Sequence, residues 1–275
     1  DMDGDIWIDG NLRTLNVSQD TSGVDGNLTV MGNLTNATIT GGGWNSTMTA
    51  GNSIGRVLIR NGDLAATGTI TCMLGNIRQV WIRNGDLLGT LSAPNGTIQN
   101  IRVSGSDLGA ASLIEASQIN YLRVDGSILS GARVVVDNEL RTLWVGRDIQ
   151  AGSSLTMDSV RRATIRRNLE GDFTLGYNPR GATVRINGNL GSDGSIFSVD
   201  SDLTLFAGSI VDGATVVVSR DMRRLRVNGT IFGNVIVDGK IRNLQARAIN
   251  AAVVVSGMDM TTVRINGAVS NSLLQ

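Results

Sequence analysis

The sequence predicts an all-β protein: a single parallel β-helix (solenoid), expected to be right-handed, of about 13 coils with a repeat of about 20 residues. Three observations predict it. The stretch Val80-Trp81-Ile82-Arg83-Asn84-Gly85-Asp86-Leu87 recurs along the chain, as Val57-Leu58-Ile59-Arg60-Asn61-Gly62-Asp63-Leu64 and as Ile101-Arg102-Val103-Ser104-Gly105-Ser106-Asp107-Leu108. The apolar residue after each glycine recurs from Leu87 to Ile231 in steps that alternate between 21 and 20. A second alternating run follows it, as in Val134 with Val136, Phe173 with Leu175 and Val216 with Val218.

Each observation has a physical reading. Apolar residues two apart place their side chains on one face of a strand. Gly, Asn, Asp and Ser between the runs supply the left-handed backbone positions that corners need. Asn-Gly pairs such as Asn187-Gly188 would by themselves suggest hairpins. A meander has no reason to hold so constant a period, whereas a coil stacked on identical coils does. At the parallel-sheet spacing, the whole repeat array corresponds to about 60 Å of stacked coils.

Taken in order, the anchors are Leu12, Leu34, Leu64, Leu87, Leu108, Ile128, Ile149, Leu169, Leu190, Ile210, Ile231, Ile249 and Val269. The step of 30 from Leu34 to Leu64 reads as a coil with an insertion around Gly41-Gly42-Gly43-Trp44. Residues 1–50 are therefore expected to form irregular N-terminal coils or a cap, and residues 51–275 a regular array in one continuous domain. The chain starts at Asp1 without a leader or an initiating methionine, which reads as a processed chain or a segment of a longer one.

Composition narrows the function classes. Charge balances at 24 basic and 24 acidic residues, so bulk electrostatics predicts neither nucleic acid nor an anionic membrane as partner. Histidine is absent, which excludes His-dependent triads and imidazole metal ligation. Cys72 is the sole cysteine and alternates with Ile70, the pattern of a small buried residue. No run of about 20 apolar residues could cross a membrane as a helix. No catalytic motif is present, and the chain is expected not to be an enzyme. Six Asn-x-Ser/Thr matches, from Asn16 to Asn95, fit secretion, although a chain this rich in those residues produces many by chance.

Units such as Leu225-Arg226-Val227-Asn228-Gly229-Thr230-Ile231 resemble the β-helical repeats of bacterial cell-surface proteins, both adhesin-like and surface-layer-like. The resemblance covers nearly the whole chain as a repeat pattern. It implies an extracellular or cell-surface, non-enzymatic structural or adhesive module that self-assembles into a filament, layer or appendage. A weaker similarity to bactofilins implies an intracellular scaffold that polymerises end to end.

Two sets of residues are candidate sites. The outward residue of the first strand reads Trp7, Thr29, Leu58, Trp81, Arg102, Arg123, Trp144, Thr164, Arg185, Thr204, Arg226, Gln245 and Arg264 down the coils. Trp7, Trp81, Arg102, Arg123, Trp144, Arg185, Arg226 and Arg264 have the composition of an interface, with another copy of the chain or with a glycan. The alternative is that their stems simply pack along the sheet. The second set is the row Asp63, Asp86 and Asp107, continued by Asp148. Stacked carboxylates suit Ca²⁺ as the one cofactor in prospect, or glycosidic hydrolysis in a polysaccharide-binding or polysaccharide-degrading protein. Arg60 and Arg83, three residues upstream, offer the simpler account of an Arg–Asp ladder.

Overall fold

A computed structural model describes residues 4–18, 25–191 and 195–275. They form an all-β parallel solenoid of roughly a dozen turns, and every strand pairing among the described residues is parallel. The chain divides into two compact units, 1–140 and 141–275, each with its own stack of coils.

In the first unit, one ladder runs through Ile6–Ile8, Leu28–Val30, Thr47–Ala50, Thr69–Cys72 and the start of Thr90–Ser104. A second runs through Leu12–Ser18, Asn33–Thr40, Ser53–Arg60, Ile77–Arg83 and residues 98–104. Single bridges on a third side join Trp44, Leu64, Leu87, Leu108 and Ile128. One turn thus sends six side chains inward, for example Ile70, Cys72, Ile77, Val80, Ile82 and Leu87, all fully buried. Period-2 alternation supplies the inward pairs, and the polar corners turn the chain between them. Burial raises the Cys72 thiol pKa above its ordinary value, so it lies in the core as a neutral side chain.

The second unit repeats the plan. Ser154–Ile165 pairs with Asp172–Ile186, which pairs with Ile196–Ala207, and Met222–Ile231, Ile241–Asn250 and Met260–Ile265 follow in register. Phe173 stacks on Phe197 inside it, with centroids 5.4 Å apart and planes at 13°. Buried polar side chains in this unit include Ser153, Asn178, Ser201 and Ser256. Asn178 and Ser201 face each other across the ladder, and the Asn178 backbone N–H donates to Ser201 Oγ at 2.6 Å. Their remaining groups bond to the Gly176 and Gly181 carbonyls and to the Arg180 N–H, so no donor is stranded there.

The register overturns the insertion expected around Gly41-Gly42-Gly43-Trp44. Leu12 and Leu34 stack on Ile54 and Ile77, a different column from Leu64. The residue that bridges Leu64 is Trp44, fully buried and one regular coil step earlier in the chain. No insertion exists at 41–44: a tryptophan stands where other coils carry Leu or Ile. No change in pairing occurs near residue 50 either, since the strands at 28–30 and 33–40 pair onward as later ones do. Parts of the expected N-terminal region, residues 1–3 and 19–24, lie outside the described residues.

Candidate functional site

The first candidate is the outward face of the long ladder. In the first unit, Leu58, Trp81, Arg102 and Arg123 do share a column. The Trp81 ring has three guanidinium carbons near it, from Arg83 at 4.7 Å, Arg102 at 5.3 Å and Arg56 at 5.9 Å from its centroid. Its Nε1–H donates to Ser104 Oγ at 3.0 Å. Arg123 Nε donates to Asp125 Oδ1 at 2.6 Å, and Arg102 lies 3.9 Å from the same carboxylate. The hydrogen bond to Asp125 holds Arg123 above its ordinary pKa. This part of the face is a network of cation–π and ionic contacts within one molecule, in which Arg56 Nε and Arg102 Nε are buried without a hydrogen-bond partner.

Trp7 does not belong to it. It pairs with Thr29, and its column continues through Thr49 and Thr71 on the other ladder. Trp7 is 65% exposed there, with Nε1–H donating to Asp9 Oδ1 at 2.7 Å.

In the second unit the column runs Thr164, Arg185, Phe206, Arg226, Gln245, Arg264. Phe206 replaces the expected Thr204, which lies one outward position earlier, between Thr183 and Arg224. Counting back from the anchor fails there because the corner 207–209 is shorter than its neighbours. Arg185 lies over the Phe206 ring at 4.6 Å, and Arg166 over Trp144 at 5.7 Å. The flanking outward positions add Arg162, Arg166, Arg224 and Arg247, which the single-column reading missed. Their signal was present as arginines two apart, Arg224 with Arg226, and as doublets such as Arg161-Arg162.

The second candidate is the aspartate row, and its geometry assigns it to the backbone. Asp63 Oδ1 accepts the Asp86 N–H at 2.7 Å, Asp86 Oδ1 accepts the Asp107 N–H at 2.8 Å, and Asp107 Oδ1 accepts the Ser127 N–H at 2.5 Å. Asp148 does the same for Asn168 at 2.9 Å, and Asn168 in turn for Asn189 at 2.9 Å. Each carboxylate satisfies a corner amide that the main-chain ladder leaves without a partner. Among the described residues no three Asp, Glu or Cys side chains come together to hold a metal ion. Among the described residues the expected pairing with Arg60 and Arg83 is not among the ion pairs formed; Arg83 is taken up over Trp81 instead. Asp221 combines both roles: it accepts the Lys240 N–H at 3.0 Å and an Arg242 N–H at 2.8 Å. The first of these contacts, then the second, holds its carboxyl below the ordinary value.

This assignment has a direct check. Asp86→Ala removes the acceptor for the Asp107 N–H and is expected to cost about 1–3 kcal/mol of stability. Asp86→Asn keeps an oxygen in place, as Asn168 does naturally, and is expected to cost about 0.5 kcal/mol or less. Urea unfolding of the two variants, with and without Ca²⁺, reads both. A Ca²⁺-dependent midpoint that Asp86→Asn abolishes would restore the metal-site reading.

Comparison with protein-family models, with curated protein sequences and with solved structures finds no match.

Proposed function

We propose that this chain is a non-enzymatic, extracellular structural module that self-assembles by adding coil upon coil. The parallel solenoid fold is consistent with a structural role, and one observation carries the assembly mechanism. In the coil at 260–274, Val263, Val269 and Leu274 extend the inward columns of Leu244, Ile249 and Val254. The three residues they stack on are fully buried, whereas Val263 is 39%, Val269 49% and Leu274 39% exposed. Partly exposed apolar columns beside a strand edge form a template for one more coil in register, supplied by any chain that carries this repeat. A second copy of this chain supplies such a coil through its own exposed strand edge at Ile6–Ile8 and Leu12–Ser18, whose inward residues are only half-buried.

Multi-angle light scattering and negative-stain electron microscopy test this. The wild-type chain is expected to form species whose mass grows with concentration, and Val269→Lys with Leu274→Lys to abolish them. A monomer at every concentration overturns the assembly mechanism. Assemblies that survive the double substitution overturn the assigned surface.

A further inference from the structure

The two units differ in charge in a way that the neutral whole conceals. Residues 1–140 carry 8 basic and 13 acidic residues, and residues 141–275 carry 16 and 11. In the second unit, the outward positions of six successive strand segments hold seven arginines: Arg162, Arg166, Arg185, Arg224, Arg226, Arg247 and Arg264. No Asp or Glu occupies an outward position of those segments, at 162–166, 183–187, 204–208, 224–228, 243–247 and 262–266. Asp202 and Asp221, at the corners before two of them, are paired with Arg223 and Arg242 instead. None of the seven forms an ion pair among the described residues. The equivalent face of the first unit contrasts with this, because there Arg102 and Arg123 converge on Asp125.

We infer that this face binds a linear anionic polysaccharide, carboxylated or sulfated, laid along the coil axis. Adjacent coils are about 4.8 Å apart, so Arg185, Arg226 and Arg264, which alternate with Phe206 and Gln245, repeat at about 10 Å. That interval is close to the rise of two sugars in an extended glycan, which turns the charge of every second sugar to one side. Guanidinium forks take carboxylate and sulfate oxygens two at a time. Thr164, Thr183, Thr204, Asn243 and Gln245, interspersed on the same strands, offer partners for sugar hydroxyls.

A single-stranded nucleic acid fits this face poorly. Binding of a single strand draws on open aromatic platforms, and here Arg185 covers Phe206 while Arg166 covers Trp144. The site is independent of the assembly proposed above, since it needs one copy only.

The experiment is binding of the full chain to immobilised polygalacturonate, dextran sulfate and neutral dextran, with an oligothymidylate as competitor. Binding to one or both charged glycans is expected, with none to dextran, and it weakens between about 50 mM and about 300 mM salt. The triple variant Arg185→Gln, Arg226→Gln, Arg264→Gln is expected to bind about tenfold or more weakly. A triple variant of equal charge change in the first unit, Arg13→Gln, Arg60→Gln, Arg78→Gln, keeps wild-type binding. The two glycans separate a carboxylate from a sulfate preference. Equal losses in the two triples, absence of binding to either charged glycan, or displacement by the oligothymidylate at matched charge would each overturn the proposal. All seven positions are on the surface, and a far-UV spectrum and melting curve confirm that the variants compared are folded.

Discussion

Trp44→Ala is expected to remove about 3–5 kcal/mol of stability from the first unit. Trp44 is fully buried, and it is the largest side chain in the column that continues through Leu64 and Leu87. Truncation leaves a void beneath Leu64, and the ladders on the other two sides hold the coils at fixed spacing, so the site cannot close over it. The indole also has a cost of its own, because its Nε1–H is buried without a partner. Trp44→Leu, which restores the side chain used elsewhere in the column and removes that donor, is therefore expected to lose much less than Ala. Solenoid coils contact only their neighbours, so hydrogen exchange should localise the damage to the coils around residues 28–72. A loss below about 1 kcal/mol for Trp44→Ala would show that the wall relaxes into the space and that Trp44 does not organise this turn.

Gly62→Ala is expected to cost about 3 kcal/mol, at the upper end of ordinary overpacking. A Cβ at Gly62 would fall on the Gly42 carbonyl of the preceding coil, inside any tolerable contact. The obstacle is main chain in an adjacent turn, so no rotamer change relieves it, and separating the turns would break ladder bonds. Gly105 is the appropriate contrast. It needs glycine for its conformation, at φ 80°, but the nearest atom to an added Cβ is 3.8 Å away. Gly105→Ala should therefore cost only about 1 kcal/mol, the penalty of the left-handed backbone. Equal midpoint shifts in urea for the two variants would show that conformation, and not coil-to-coil approach, selects glycine at both positions.

Much of this was legible in the chain itself. Alternation in Val80, Ile82 and in Ile70, Cys72 marked their inward side chains, and all four are fully buried. The aspartates before Leu64, Leu87 and Leu108 were legible as a stacked row, because each precedes an anchor at the same offset. Their role was not. Whether a carboxylate meets an arginine, a metal ion or an amide depends on where the next turn places its N–H groups. Arg60 and Arg83 are near Asp63 and Asp86 in sequence, yet outward alternation carries Arg83 to the Trp81 ring.

The local half of the structure could be read from the chain: the period of the coils, the inward or outward sense of each residue, and the corners rich in Gly and Asn. Those follow from the two-residue repeat of a strand and from the backbone preferences of single residues. Which residues stack across coils is set by the folded pairing. Stacking depends on how many residues each corner consumes, and the corners here differ in length. One shorter corner puts Phe206 rather than Thr204 beside Arg185, and pairing in register puts Trp7 beside Thr29 on another ladder. The same lateral register engages the arginines around Trp81 and Asp125 in the first unit, while Arg185, Arg226 and Arg264 of the second unit form no ion pair among the described residues.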